Sequence, residues 1–172
     1  MTRKVQVSVL IIATIFIFSC KHPVKSTEER QSLSASVLYT ATTCGRAEKE
    51  SKLTWINNSD DFKRVYGGLL KQSFGLKENP RPKIDFKKNG VLLIEMGSRP
   101  TAGYAVESSN KGVRVIGSLV EVNTHWIKPA PGAILAQIIT SPCLMISFTA
   151  SEYSIIRVID QKGDIKAETG IK

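Results

Sequence analysis

From Val91 onward the chain breaks into short apolar runs rich in β-branched residues, at 91–96, 102–107, 113–116, 119–123, 134–140, 144–149 and 155–160. Turn-forming groups separate them: Lys88-Asn89-Gly90, Ser108 to Gly112, Pro129 to Gly132, Ser141-Pro142 and Lys162-Gly163-Asp164. Runs of this length bounded by Gly, Pro, Asn and Asp read as strands, and short links pair successive strands antiparallel. An earlier run, 36–42, offers one more strand. A single amphipathic helix is expected beside them, because Phe62, Val65, Tyr66, Leu69 and Leu70 recur at the spacing of one helical face. The cap-type cluster Asn57-Asn58-Ser59-Asp60 precedes it, with Ser59 or Asp60 as the expected cap. Gly67-Gly68 costs a helix about 2 kcal/mol relative to alanine, so the pair implies either close packing or an early end. The fold class that follows is mainly β or α+β: a compact antiparallel sheet or sandwich with one packed helix.

A different kind of sequence precedes this region. Arg3 and Lys4 lead into a nearly unbroken apolar run at 5–18, the pattern of an export signal. At about 1.5 Å per residue, roughly 14 residues fall short of the ~30 Å hydrocarbon core, so cleavage is expected rather than a permanent span. Ile17-Phe18-Ser19-Cys20 resembles the bacterial lipobox, with Phe18 where a smaller residue is usual. The resemblance implies a signal peptide over 1–19 and a lipid on Cys20. Two acyl chains on one cysteine hold a protein at a membrane without any helix crossing it. Residues 20–34 read as a lipidated flexible tether, since 21–34 is polar and aperiodic, and 35–172 as a single β-rich domain. Lys21 is not the aspartate of an inner-membrane retention signal. The expected location is therefore the cell envelope, at the outer membrane facing the periplasm if the cell is Gram-negative.

The formal net charge is +9, and loss of Arg3 and Lys4 with the signal lowers Lys+Arg from 24 to 22 against 15 carboxylates, leaving +7. A basic tethered protein suits anionic headgroups, an acidic partner or simple solubility. Nucleic acid is not expected, because an exported protein rarely meets it and aromatic residues are not interleaved with the basic ones. With Cys20 lipidated, Cys44 and Cys143 remain as an even pair in an oxidising compartment, where a disulfide is the expectation. Closing a loop of about 100 residues stabilises by up to about 4.7 kcal/mol in the chain-entropy model. Only His22 and His125 could join a metal site, and no ligand spacing recurs, so neither metal nor cofactor is expected. Nucleophile-elbow, phosphate-loop, zinc-helix and dinucleotide glycine motifs are all missing from the sequence. A Ser–His or Cys–His pair in the folded portion would have to use His125. No catalytic residue is assigned, and no small-molecule substrate is expected.

The stretch from Pro82 to Tyr104 carries the most information. Asp85-Phe86, the apolar run after it, and Gly97-Ser98-Arg99-Pro100-Thr101-Ala102-Gly103-Tyr104 resemble the C-terminal domain of PrcB-type protease-complex subunits, which are bacterial lipoproteins. Lys128-Pro129-Ala130-Pro131-Gly132, Gln137 and Thr140-Ser141-Pro142-Cys143 are similar to that domain's later turn, strand and T-x-P segment. The likeness covers about 84–148, and Ala102 stands where the family loop, T-G-G-Y, has its first glycine. It implies a non-catalytic lipoprotein that binds and stabilises an exported protease complex. The same loop is similar to the first binding loop of chagasin-type cysteine protease inhibitors, immunoglobulin-like β proteins, with Arg99 in place of asparagine. Inhibition is the second expectation, and a structural or envelope-binding lipoprotein without a protease partner is the third.

The loop also has a reading of its own. Gly97 and Gly103 bracket a turn, Pro100 stiffens it, and Arg99 and Tyr104 offer a charged fork and an amphipathic ring, both anchor-type groups. Arg99, Pro100, Thr101, Gly103 and Tyr104 are thus the candidate partner-binding loop, addressed to an exported protease or another envelope protein. The alternative is a structural turn, with Tyr104 facing inward beside Val106 and Thr101 bonded to nearby backbone.

Overall fold

The computed structural model describes residues 30–45, 47–72 and 80–171; the expected signal peptide, Cys20 and the tether up to residue 29 lie outside them. In chain order the elements are β1 (Arg30–Leu33), β2 (Ala35–Ala41), β3 (Lys52–Ile56), α1 (Ser59–Gln72), β4 (Asn89–Glu95), β5 (Ala105–Ile116), β6 (Leu119–Ile127), β7 (Cys143–Thr149), β8 (Ile155–Ile159) and β9 (Ile165–Gly170). They build two sheets, one five-stranded in the order β1-β5-β6-β8-β9 and one four-stranded in the order β2-β7-β4-β3. Among the described residues the protein is mainly β with one helix, as the sequence pattern predicts.

Strands β4 and β7 are apolar at nearly every position because both their faces are buried. With side chains alternating across a strand, Leu92, Ile94, Leu144, Ile146 and Phe148 enter the core between the sheets, where Val106, Val120, Val122, Trp126 and Ile156 meet them. The intervening residues Val91, Leu93, Cys143 and Met145 pack instead against Phe62, Tyr66 and Leu69 of α1. Helix, sheet and sheet form three layers. Each large side chain so buried contributes about 1.5–3 kcal/mol, which makes β4 and β7 the central slab of the fold.

The helix occupies its expected place, but its cap is Asn58. The Oδ1 of Asn58 accepts from the amide of Asp61 at 2.9 Å, and its Nδ2 donates back to the Asp61 carboxylate at 2.8 Å. Arg64, one turn on, bonds the same carboxylate and with Asn58 holds the Asp61 carboxyl below its ordinary range. The helix passes straight through Gly67-Gly68, and a Cβ at either position would meet no atom within 4 Å. Neither close packing nor an early end explains the pair.

Four further expectations are corrected. Residues 30–33, expected in the tether, pair with Val113 to Ile116 as β1. Residues 105–107 of the first run and the second run, 113–116, lie on one strand, β5, whose register against β6 shifts between Ser108 and Val113 where a turn is expected. Pairing is not antiparallel throughout, because β6 and β8 run parallel. Between them the chain crosses to the other sheet as β7, which gives the long return that a parallel pair requires. Finally, 134–140 is not a strand. Strand-forming residues need a ladder to join, and the backbone pairing of this segment among the described residues is one isolated bridge between Arg99 and Thr140 and one bond from Ala102 to Ala136.

Candidate functional site

The loop 97–104 is the crossover from β4 in one sheet to β5 in the other. Gly97 makes its first bend at φ +83°, a conformation costly for residues with a Cβ. Space allows nothing larger, since a Cβ there would lie 2.4 Å from the carbonyl oxygen of Lys49 and 2.6 Å from that of Glu50. The amide of Ser98 donates to the Glu48 carbonyl at 2.7 Å, so residues 48–50 run against the base of the loop. Gly103, at φ +87°, makes the second bend, under Pro129 and Leu135.

A third segment closes the far side. Arg99 and Thr140 exchange backbone bonds of 2.7 and 2.9 Å, Ala102 donates to the Ala136 carbonyl at 3.1 Å, and the Thr140 hydroxyl donates to the Thr101 carbonyl at 3.0 Å. The Thr101 hydroxyl stays within the loop, donating to the Ala102 carbonyl at 3.1 Å. Next along the chain, the Cys44 amide donates to both the backbone carbonyl and the hydroxyl of Ser141, each at 2.9 Å. The Cys44–Cys143 disulfide, with its Cα atoms 6.0 Å apart, locks that junction. Both cysteines are buried, and Cys44 is not available as a thiolate nucleophile.

Arg99 behaves differently from an outward fork. Its Nη2 donates to the Met96 carbonyl and its Nη1 reaches the carbonyls of Lys49 and Ser98 at 3.3 and 3.4 Å. The guanidinium thus staples the loop to the end of β4 and to residues 48–50. Pro100 is exposed at the tip, Thr101 is half-buried, Gly103 is exposed, and Tyr104 is half-buried against the core between the sheets. The five loop residues are brought together on one turn, with Pro100 as its most outward side chain and Tyr104 as its root.

Residues that sequence reasoning does not place here complete the wall: Thr140 and Ser141, whose hydroxyls tie three segments, and 133–139 beside the loop. The only signal for them is the Thr140-Ser141-Pro142-Cys143 string. His125 lies elsewhere, exposed on β6 opposite Glu107. Among the described residues no group of three His, Cys, Asp or Glu side chains is placed to hold a metal ion, and no helix is long and apolar enough to cross a membrane.

Fold and site together define a helix-capped, two-sheet β domain whose crossover loop is braced by a disulfide, an inward guanidinium and a neighbouring segment. Residues 91–149, from within β4 to the end of β7, match the family described as PrcB C-terminal. No curated protein and no solved structure matches the chain.

Proposed function

We propose that this chain is a non-catalytic subunit of an exported protease complex, held to a membrane by lipid on Cys20, which binds and stabilises its protease partner. The observation that carries the reading is the PrcB C-terminal match at 91–149. The matched residues include both the 97–104 loop and the 133–140 segment bonded to it. A braced loop suits binding, because little conformational freedom is left to lose on association. PrcB-type proteins are non-catalytic subunits, and Cys44 and Cys143 are held in a disulfide. Pro100 and Gly103 present the loop's outer surface, while Arg99 and Thr101 keep its shape.

The test is co-purification of the full chain from cross-linked native membranes, with proteolysis assayed in the eluate and in the isolated chain. Activity in the first and none in the second supports the subunit reading; a chain that elutes alone removes it. Nanomolar inhibition of papain-type proteases by the isolated chain moves the assignment to an inhibitor. The Cys20→Ser variant should leave the membrane fraction while folding normally, and its retention there would contradict the lipid anchor.

A further inference from the structure

The segment 133–139, Ala-Ile-Leu-Ala-Gln-Ile-Ile, lies in neither helix nor sheet. Ile134, Ile139 and Ile138 are 102%, 76% and 56% exposed. Isolated surface isoleucines need no account, whereas three within six residues form a patch. No charged residue interrupts the chain from 129 to 151. Natural sheet edges are normally guarded by charge or proline, and an apolar run without either is a template for pairing.

The backbone shares the deficit. Ala136 and Thr140 are tied to the loop on one side. Among the described residues, the backbone amides and carbonyls of Gln137, Ile138 and Ile139 bond to no other protein group and stay open to solvent or to a partner's main chain. These two needs, apolar cover and backbone pairing, narrow what can sit there. A bilayer would bury the isoleucines but leave the amides and carbonyls without partners, which hydrocarbon penalises heavily. A second copy would bring together two chains that each carry Lys+Arg in excess, 24 against 15 acidic residues. An extended polypeptide answers both needs, with main-chain bonds giving affinity and alternate side chains giving specificity. The basic excess favours acidic flanks on that strand.

We infer that 133–139 is a strand-addition site, which accepts an extended, alternately apolar segment of a partner polypeptide with acidic flanks. This deepens the subunit reading, on which it rests only for the partner's source.

Hydrogen–deuterium exchange on the full chain tests it, with a synthetic peptide of about ten residues alternating Ile and Thr between terminal aspartates as the probe. Peptide should slow the amides of 137–139 by about tenfold or more, the protection that roughly 90% occupancy gives. Ile138→Asp, at an exposed position, should keep its melting temperature and lose that protection. Unslowed amides at millimolar peptide in a normally melting chain overturn the inference. So does concentration-dependent protection of the chain alone, which assigns the face to a second copy, and so does protection by phosphatidylglycerol vesicles in place of peptide, which assigns it to lipid. The subunit reading fails separately: peptide protection without any protease in the cross-linked eluate would remove it and leave the strand site standing.

Discussion

Replacing Arg99 by alanine removes a guanidinium that bonds the carbonyls of Met96, Lys49 and Ser98 at the base of the crossover loop. Hydrogen bonds from a charged donor contribute about 1.5–3 kcal/mol net. Arg99 is half-exposed and two of its three bonds are long, so the lower part of that range applies, about 2 kcal/mol in all. The backbone exchange between Arg99 and Thr140 survives the substitution, which keeps the loss local. For a domain of this size each kcal/mol moves the melting temperature by about 2–4 °C, giving an expected drop of about 4–8 °C. Thermal and urea melts of Arg99→Ala and Arg99→Lys read this directly. Lysine carries the charge without the planar fork and should recover only part of the loss. A folded Arg99→Ala variant melting within about 1 °C of the parent would refute the staple and return the guanidinium to the set of groups free for a partner.

Gly67→Ala and Gly68→Ala should each stabilise α1 by about 0.5–1 kcal/mol, since a Cβ meets nothing at either position and the entropy of glycine is removed; a lowered urea midpoint would mean that something packs on this face. Replacing both Cys44 and Cys143 by serine should cost about 3–5 kcal/mol for a bridge of sequence separation 99, read as a lower urea midpoint in non-reducing buffer. A fall below about 1 kcal/mol would show that the bonds at Ser141 hold the junction unaided. For Asp160, burial pushes the carboxyl up, but the Lys166 ammonium at 2.7 Å and the amides of Lys162 and Asp164 outweigh it and leave it lowered. A depressed carboxyl contributes stability above its unfolded value of about 3.9 and loses it as pH falls through the folded value, so acid melts should lose that slope in Asp160→Asn.

The centre of the fold is legible in the sequence because its physics is local. Val91 to Ile94 and Leu144 to Phe148 are apolar on both faces, and Phe62, Tyr66 and Leu69 repeat at helical spacing. The disulfide is expected from the cysteine count together with the export pattern of the first residues. The edges are less visible: β1 and β9 stand at the margins of their sheet and mix Arg, Lys, Gln and Glu with few apolar residues, so their strand character comes from neighbours. Residues 134–140 fail in the opposite sense, carrying strand-forming side chains that join no ladder among the described residues. Arg99 illustrates the limit for the site, since its position in the loop is readable but the three carbonyls that turn it inward are set by crossover geometry.

The stabilising role is tested most directly by the lifetime of the co-purifying protease in cells with and without this chain, followed after protein synthesis is stopped. If the chain is a stabilising subunit, the protease decays faster in its absence and regains its lifetime when the wild-type chain is restored. An unchanged lifetime, with activity undiminished in the membrane fraction, would contradict that role.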